Sequence, residues 1–227
     1  MKQLKILGVA LMAVFALSAV AASMASAEVK VLPELEEAFK GESGAGTLEM
    51  LKGVAVIECA KDKSEGTFEG TKPLGSFHID FEGCKALKIA ACTGLGESAE
   101  TILSLGTFHL VFDKLGTGAE LGVGILFLVE KVHFECGGKL FVVSGEVLCL
   151  LTKPLNEKAK HFEIVCKKGK EAGDPGEVVY WNEKGEEVKI NEEKGGLLTA
   201  VNEGTGVMSS ENTSALILTT NNIEIMG

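Results

Sequence analysis

Histidine is the residue type in this sequence with the clearest capacity for chemistry, and every histidine lies beside a phenylalanine. The four pairs are Phe77-His78, Phe108-His109, His133-Phe134 and His161-Phe162. Alternate side chains of a β-strand point to opposite faces, so each phenylalanine would face a core. Each histidine would then face outwards, on the same side of its strand as an acidic residue.

If those strands were neighbours, the imidazoles and carboxylates could bind a divalent metal such as zinc. They could equally form a surface whose charge changes near neutral pH, because histidine titrates there. We favour a third interpretation, in which they are ordinary polar residues on exposed strand positions. The sequence therefore predicts no metal and no cofactor, with His78, His109, His133 and His161 as the candidate ligands if a metal is bound.

The six cysteines form an even set, and in an exported protein such a set predicts three disulfides. They are Cys59, Cys84, Cys92, Cys136, Cys149 and Cys166. A polar turn between two apolar runs favours the pair Cys149–Cys166 across a hairpin. For the other four we favour Cys84–Cys92 with Cys59–Cys136, and the alternative is Cys59–Cys84 with Cys92–Cys136. The CxxC spacing of redox sites and of many zinc sites does not occur.

Other catalytic and nucleic-acid-binding patterns do not occur in the sequence. It has no Gly-x-Ser-x-Gly elbow, no phosphate-binding loop and no HExxH motif. The formal net charge is −10 and all 22 basic residues are lysine, which argues against a nucleic-acid partner. With 32 acidic residues, a glutamate pair for hydrolysis stays an alternative, although we expect no enzyme activity.

The elements that must position these residues are predicted to be β-strands. Strand-like runs with period-two alternation recur about every ten residues and are separated by glycine-rich turns. A helix is expected only over Pro33 to Lys40. The run Leu121 to Val132 is apolar on both alternations and should be a strand covered on both faces. We predict an all-β, antiparallel sandwich or barrel, stapled by disulfides.

One short internal repeat stands out within these strands. Leu74 to Ile79 (LGSFHI) reappears as Leu105 to Leu110 (LGTFHL). Two copies are too few for a solenoid. The interpretation is a hairpin unit that occurs twice within one domain.

The N-terminal 27 residues are predicted to be a signal peptide. Two lysines precede the apolar run Ile6 to Ala22, and Ala25-Ser26-Ala27 fits the small-residue cleavage rule. The alternative is an uncleaved membrane anchor, for which this run is at the short limit. We therefore expect a single β-rich domain over 28–227, secreted or at the cell envelope, with no transmembrane span after cleavage.

Several short motifs carry a resemblance over most of the mature chain. They are GAGTLE (44–49), VIEC (56–59), FEGC (81–84), CT (92–93), FECGG (134–138) and IEI (223–225). With them the chain resembles a loose group of exported, β-rich bacterial proteins of unknown function. The resemblance implies export and a β-rich fold and assigns no functional residue. Cys149 and Cys166 look like an addition to the group's four-cysteine pattern.

The sequence thus predicts an exported, non-catalytic β-domain with a structural or binding role at the envelope or outside the cell. One alternative is a β-barrel that binds a small ligand in its interior. A barrel cavity lined by Leu121 to Val132 would favour that alternative, and a solid core would argue against it. A second alternative is an extracellular hydrolase with two facing glutamates. The partner is unknown, and we expect one at the envelope or outside the cell.

Overall fold

The computed structural model describes residues 29–50, 56–70, 72–114, 121–166, 178–181, 187–190, 199–201, 206–210 and 214–226. These residues form seventeen strands and no helix. The strands are β1 (Lys30–Leu32), β2 (Glu37–Ser43), β3 (Gly46–Met50), β4 (Val56–Cys59), β5 (Lys61–Glu69), β6 (Leu74–Glu82), β7 (Lys85–Ala86), β8 (Ala90–Gly94), β9 (Thr101–Lys114), β10 (Leu121–Cys136), β11 (Lys139–Lys153), β12 (Ala159–Cys166), β13 (Val178–Trp181), β14 (Glu187–Ile190), β15 (Thr199–Val201), β16 (Gly206–Ser210) and β17 (Ser214–Met226). The predicted signal peptide lies outside the described residues.

Eight of the strands close into an antiparallel barrel. Around the barrel the order is β2, β5, β6, β9, β10, β11, β12 and β17, and β17 pairs with β2 to complete the ring. The fold class predicted from the sequence is therefore confirmed, and the barrel is the correct one of its two forms. A closed barrel leaves no unpaired edge along the ring, which suits a long antiparallel sheet.

The hairpin formed by β10 and β11 extends beyond the barrel into a second ring of strand pairs. Residues 121–129 of β10 pair with β9, whereas its last three residues pair with β8. Likewise β11 pairs with β12 in the barrel and with β15 beyond it. The second ring continues from β8 through β7, β4, β3 and β16 back to β15. One hairpin thus belongs to both rings.

The barrel core contains phenylalanines in tilted and edge-to-face contact among aliphatic side chains. The rings of Phe39, Phe68 and Phe108 contact each other with centroids 5.2 to 5.8 Å apart. A second group, Phe134 and Phe141, stacks with centroids 5.4 Å apart in the second ring. The side chains of the two rings form two core clusters, and those around Phe108 and Phe134 are almost fully buried.

The internal repeat has a structural cause, which differs from the predicted pair of hairpins. Its two copies lie on β6 and β9 and pair with each other, so that Gly75 faces Phe108 and Gly106 faces Phe77. A Cβ atom at Gly106 would lie 2.9 Å from the Phe77 ring. Each phenylalanine therefore occupies the space that the glycine of the opposite copy leaves free.

Two other local predictions have different outcomes. The prediction that the run Leu121 to Val132 is covered on both faces is confirmed for residues 122–126 only, because residues 127–129 are half-buried and Glu130 and Lys131 are exposed. The helix predicted over Pro33 to Lys40 is wrong, because β2 begins at Glu37. There, the alternating side chains of Glu37 and Phe39 face inwards between β5 and β17, and this pairing overrides the local helical preference.

The disulfide pattern corrects two of the three favoured pairs and agrees with the alternative set for them. Cys149–Cys166 is confirmed and joins directly paired residues of β11 and β12. The favoured pairs Cys84–Cys92 and Cys59–Cys136 are wrong, because the bridges are Cys59–Cys84 and Cys92–Cys136. Cys92 and Cys136 are direct partners in the β8–β10 pairing, which the sequence separation of 44 residues conceals.

Candidate functional site

A cavity of about 190 Å³ lies between the two core clusters. Its walls come from both: Phe77 and Ile217 belong to the barrel core, and Ile57 and Phe134 to the core of the second ring. Almost all lining side chains are apolar. The polar exceptions are Thr47, Asp62, Ser64 and Ser104.

Asp62 enters the cavity because of its position on β5. The strand is buried at Asp62 and Phe68, whereas Lys63 and Glu65 between them are exposed. Since side chains two residues apart share a face, Phe68 anchors the inward face and Asp62 lies on that same face. The sequence of β5 is typical of a charged, exposed strand, and yet the strand places one carboxyl group in the interior.

The surroundings of this carboxyl group leave it with a single polar contact. Asp62 is 9% exposed and accepts a hydrogen bond from the Ser43 hydroxyl, which belongs to the paired position on β2. Burial raises the pKa of Asp62, and the Ser43 hydrogen bond opposes this in part. None of the ion pairs among the described residues involves Asp62. A buried carboxylate without a cation carries a large desolvation cost.

The second buried polar group of the cavity is Ser104 on β9. It is 6% exposed, and its hydroxyl makes no hydrogen bond within the described part of the chain. Most buried polar groups in proteins have a partner, so this hydroxyl is available to a bound molecule. Ser104 shares the inward face of its strand with Ile102 and Phe108.

Another buried carboxylate, Glu37, lies outside the cavity and has a structural role. Its two oxygens accept hydrogen bonds from the backbone nitrogen and the side-chain nitrogen of Asn221, at 2.6 and 2.9 Å. Glu37 is 5% exposed. The contact ties β2 to β17, where the barrel closes.

The chemistry available in the cavity is binding. Asp62 is the one ionisable group among the described lining residues, since Cys59, Cys149 and Cys166 are in disulfides. The hydrolase hypothesis requires two facing carboxylates. The described lining does not supply the second one, so the arrangement does not support that hypothesis.

The four histidines are not brought together. His78 and His109 lie on neighbouring strands, but His109 pairs with Leu74 and His78 with Leu105, four positions apart on each strand. His133 lies beyond the end of the β9–β10 pairing, and β11 separates its strand from that of His161. The described residues contain no cluster of three potential metal ligands.

The predicted division of faces is nevertheless found. Phe77, Phe108, Phe134 and Phe162 are buried, whereas their neighbouring histidines are half-buried or exposed. His78 lies opposite Glu65 on the outer face of the barrel. These positions fit the interpretation of polar residues outside a core.

Sequence reasoning missed the residues that define the polar side of the cavity. Asp62, its partner Ser43 and Ser104 carry no motif; Asp62 lies in a run of charged residues, and Ser104 lies between two leucines. The alternation of side chains along a strand could have identified them, because each lies an even number of residues from a phenylalanine or isoleucine that faces the core.

Within the parts of the chain that the structure describes, no helix is long and apolar enough to cross a membrane. Comparisons with protein-family models, with curated proteins and with solved structures find no match.

Proposed function

We propose that this protein is an exported, non-catalytic binding protein that holds a small, mainly apolar ligand inside its barrel. The observation that carries the proposal is the cavity between the two cores. Phe127, Val129 and Val132 line it, and all three belong to the apolar run whose contribution to a cavity would favour a ligand-binding barrel. Native cores are normally filled to the density of organic crystals, so a void of this size needs an occupant or a cost in stability.

The size of the cavity limits the ligand. An engineered apolar cavity of about 150 Å³ in another protein binds benzene. A cavity of about 190 Å³ therefore has room for a molecule slightly larger than benzene. Apolar walls with a few polar groups are typical of small-molecule sites.

The proposed location is outside the cell or at its envelope. The three disulfides support it, because such bridges form and persist in oxidising compartments. The predicted signal peptide over residues 1–27 supports it from the sequence.

Ethylbenzene is a suitable probe, and calorimetric titration with NMR chemical-shift mapping measures its binding. We expect saturable binding, with shifts concentrated at lining residues such as Phe127 and Ile217. Ala215→Leu adds three carbons at a lining position and should weaken binding at least tenfold. Ala38→Leu adds the same atoms on the exposed face of β2 and should leave binding unchanged.

The same variants supply the contradicting outcome. If ethylbenzene and its amine and alcohol analogues of the same size all fail to bind the wild-type protein saturably, the proposal is overturned. Equal weakening by Ala215→Leu and Ala38→Leu also overturns it, because the ligand would then bind elsewhere.

A further inference from the structure

We infer that the ligand of this cavity is a small hydrophobic amine whose ammonium group binds Asp62. This inference rests on the proposed function and adds the chemical class of the ligand. It starts from an imbalance in charge: the described residues that line the cavity include one carboxyl group and no cation. The three nearest lysines in sequence and register, Lys40, Lys61 and Lys63, all form ion pairs with glutamates on the outer face of the barrel.

A ligand ammonium would supply what Asp62 lacks. Ser43 donates one hydrogen bond, and a carboxylate can accept about four, so most of its acceptor capacity is free for a ligand. Hydrogen bonds between charged partners are roughly twice as strong as neutral ones. An anionic ligand would place two negative charges together in an apolar space, and the cavity therefore excludes it.

Phe81 is positioned to assist the same group. It lies directly opposite Asp62 in the β5–β6 pairing and lines the same cavity. Side chains directly opposite each other across two strands are about 5 Å apart at their Cβ atoms. A cation held by the carboxylate would thus lie near an aromatic ring, which attracts cations through its face.

The remaining walls select the rest of the ligand. They are formed by aliphatic and aromatic side chains such as Ile79, Phe127 and Val147. At about 190 Å³ the cavity accommodates an apolar body of ring size together with the amine. Benzylamine meets this description and is the probe for the test.

The test compares three probes with the same number of heavy atoms: benzylamine, benzyl alcohol and ethylbenzene. In the wild-type protein at neutral pH, we expect benzylamine to bind at least tenfold more tightly than either neutral probe. Asp62→Asn should weaken benzylamine binding at least tenfold and change ethylbenzene binding by less than threefold. Ser43→Ala, which keeps the carboxylate, should preserve the preference for benzylamine.

The pH dependence of the wild-type protein provides a second readout that needs no variant. Asp62 is the one ionisable group among the described lining residues, with Ser43 and Phe81 beside it on the neighbouring strands. The outward charges next to these three residues along their strands are Lys61 and Lys63, which both pair with Glu82, and Glu42 and Asp80. Affinity for benzylamine should fall as acidification protonates Asp62, whereas affinity for ethylbenzene should stay constant.

The outcomes separate the two proposals. If ethylbenzene or benzyl alcohol binds as tightly as benzylamine, the inference about the amine is overturned and the proposed function stands. If Asp62→Asn leaves the affinity for benzylamine unchanged, the inference about the amine is likewise overturned and the proposed function stands. If none of the three probes binds, both proposals are overturned.

Discussion

At the scale of single residues, Asp62 combines a charge with an environment that opposes it. The side chain is almost fully buried, and its pKa is raised by desolvation. The folded protein therefore binds the Asp62 proton more tightly than the unfolded chain does. As the pH rises past the ordinary carboxyl value of 3.8 towards the raised one, deprotonation must lower the free energy of unfolding.

Asp62→Asn removes this term and keeps the shape of the side chain. We expect the free energy of unfolding of the variant to increase relative to that of the wild type as the pH rises from about 3 to 7. Each tenfold difference in proton affinity corresponds to about 1.4 kcal/mol. Urea denaturation over this pH range measures the difference.

Glu65→Gln is the control for this measurement, because Glu65 is exposed and the hydrogen bond from Lys40 lowers its pKa. That carboxylate stabilises the fold above its unfolded pKa and loses its contribution as the pH falls. The free energy of unfolding of the Glu65→Gln variant should thus decrease relative to that of the wild type as the pH rises. The same trend in both variants would contradict the assignment of Asp62 as a buried, uncompensated carboxyl group.

The sequence predicts the face of a residue better than its chemical role. Phe77 and His78 were placed correctly on opposite faces because strand periodicity is local. Asp62 and Ser104 were not identified, because their inward orientation creates a site only when β5 and β9 curve around the same interior. That curvature depends on barrel closure, which involves contacts far apart in the sequence.

At the scale of elements, two disulfides join directly paired strands, and Cys59–Cys84 joins the end of β4 to the residue just before its partner strand β7. Cys149–Cys166 was predictable because a single turn connects its strands. Cys92–Cys136 belonged only to the alternative set, because β9 lies between β8 and β10 in the sequence while β8 and β10 pair in the structure. A polar turn thus indicates a hairpin, but it carries no information about which distant strand comes next in a sheet.

The two bridges predict different losses of stability. In the loop-closure model, a bridge across 44 residues contributes about 4 kcal/mol and one across 17 residues about 3 kcal/mol. We expect the double variant Cys92→Ala/Cys136→Ala to lose about 1 kcal/mol more than Cys149→Ala/Cys166→Ala. Urea denaturation of both variants under non-reducing conditions measures the difference.

Retention of the native β-sheet circular dichroism spectrum by both variants is the control for this comparison. An equal or reversed order of the two losses would contradict the loop-closure explanation. Packing around the sulfur atoms would then determine the contribution of each bridge.

At the scale of the whole molecule, the β10–β11 hairpin links the two rings covalently and through packing. Val129 on β10 and Val147 on β11 pack against both core clusters, and both line the cavity. The sequence indicated the central position of β10 through its continuous apolar run. It gave no sign that one hairpin serves two rings, because the change of partner from β9 to β8 leaves no pattern in β10 itself.

This shared hairpin predicts that the two rings unfold together. Phe134→Leu, a change in the core of the second ring, should lower the free energy of unfolding by about 1 kcal/mol. Native-state hydrogen exchange should report that loss equally in β8, next to the substitution, and in β2, four strands from β10 around the barrel. A loss confined to β8, with unchanged protection of β2, would mean that the rings are independent units. The cavity would then lie at a boundary between units and could open without unfolding the barrel. If both strands lose protection equally, the rings form one cooperative core, and a ligand must enter and leave through motions within that core.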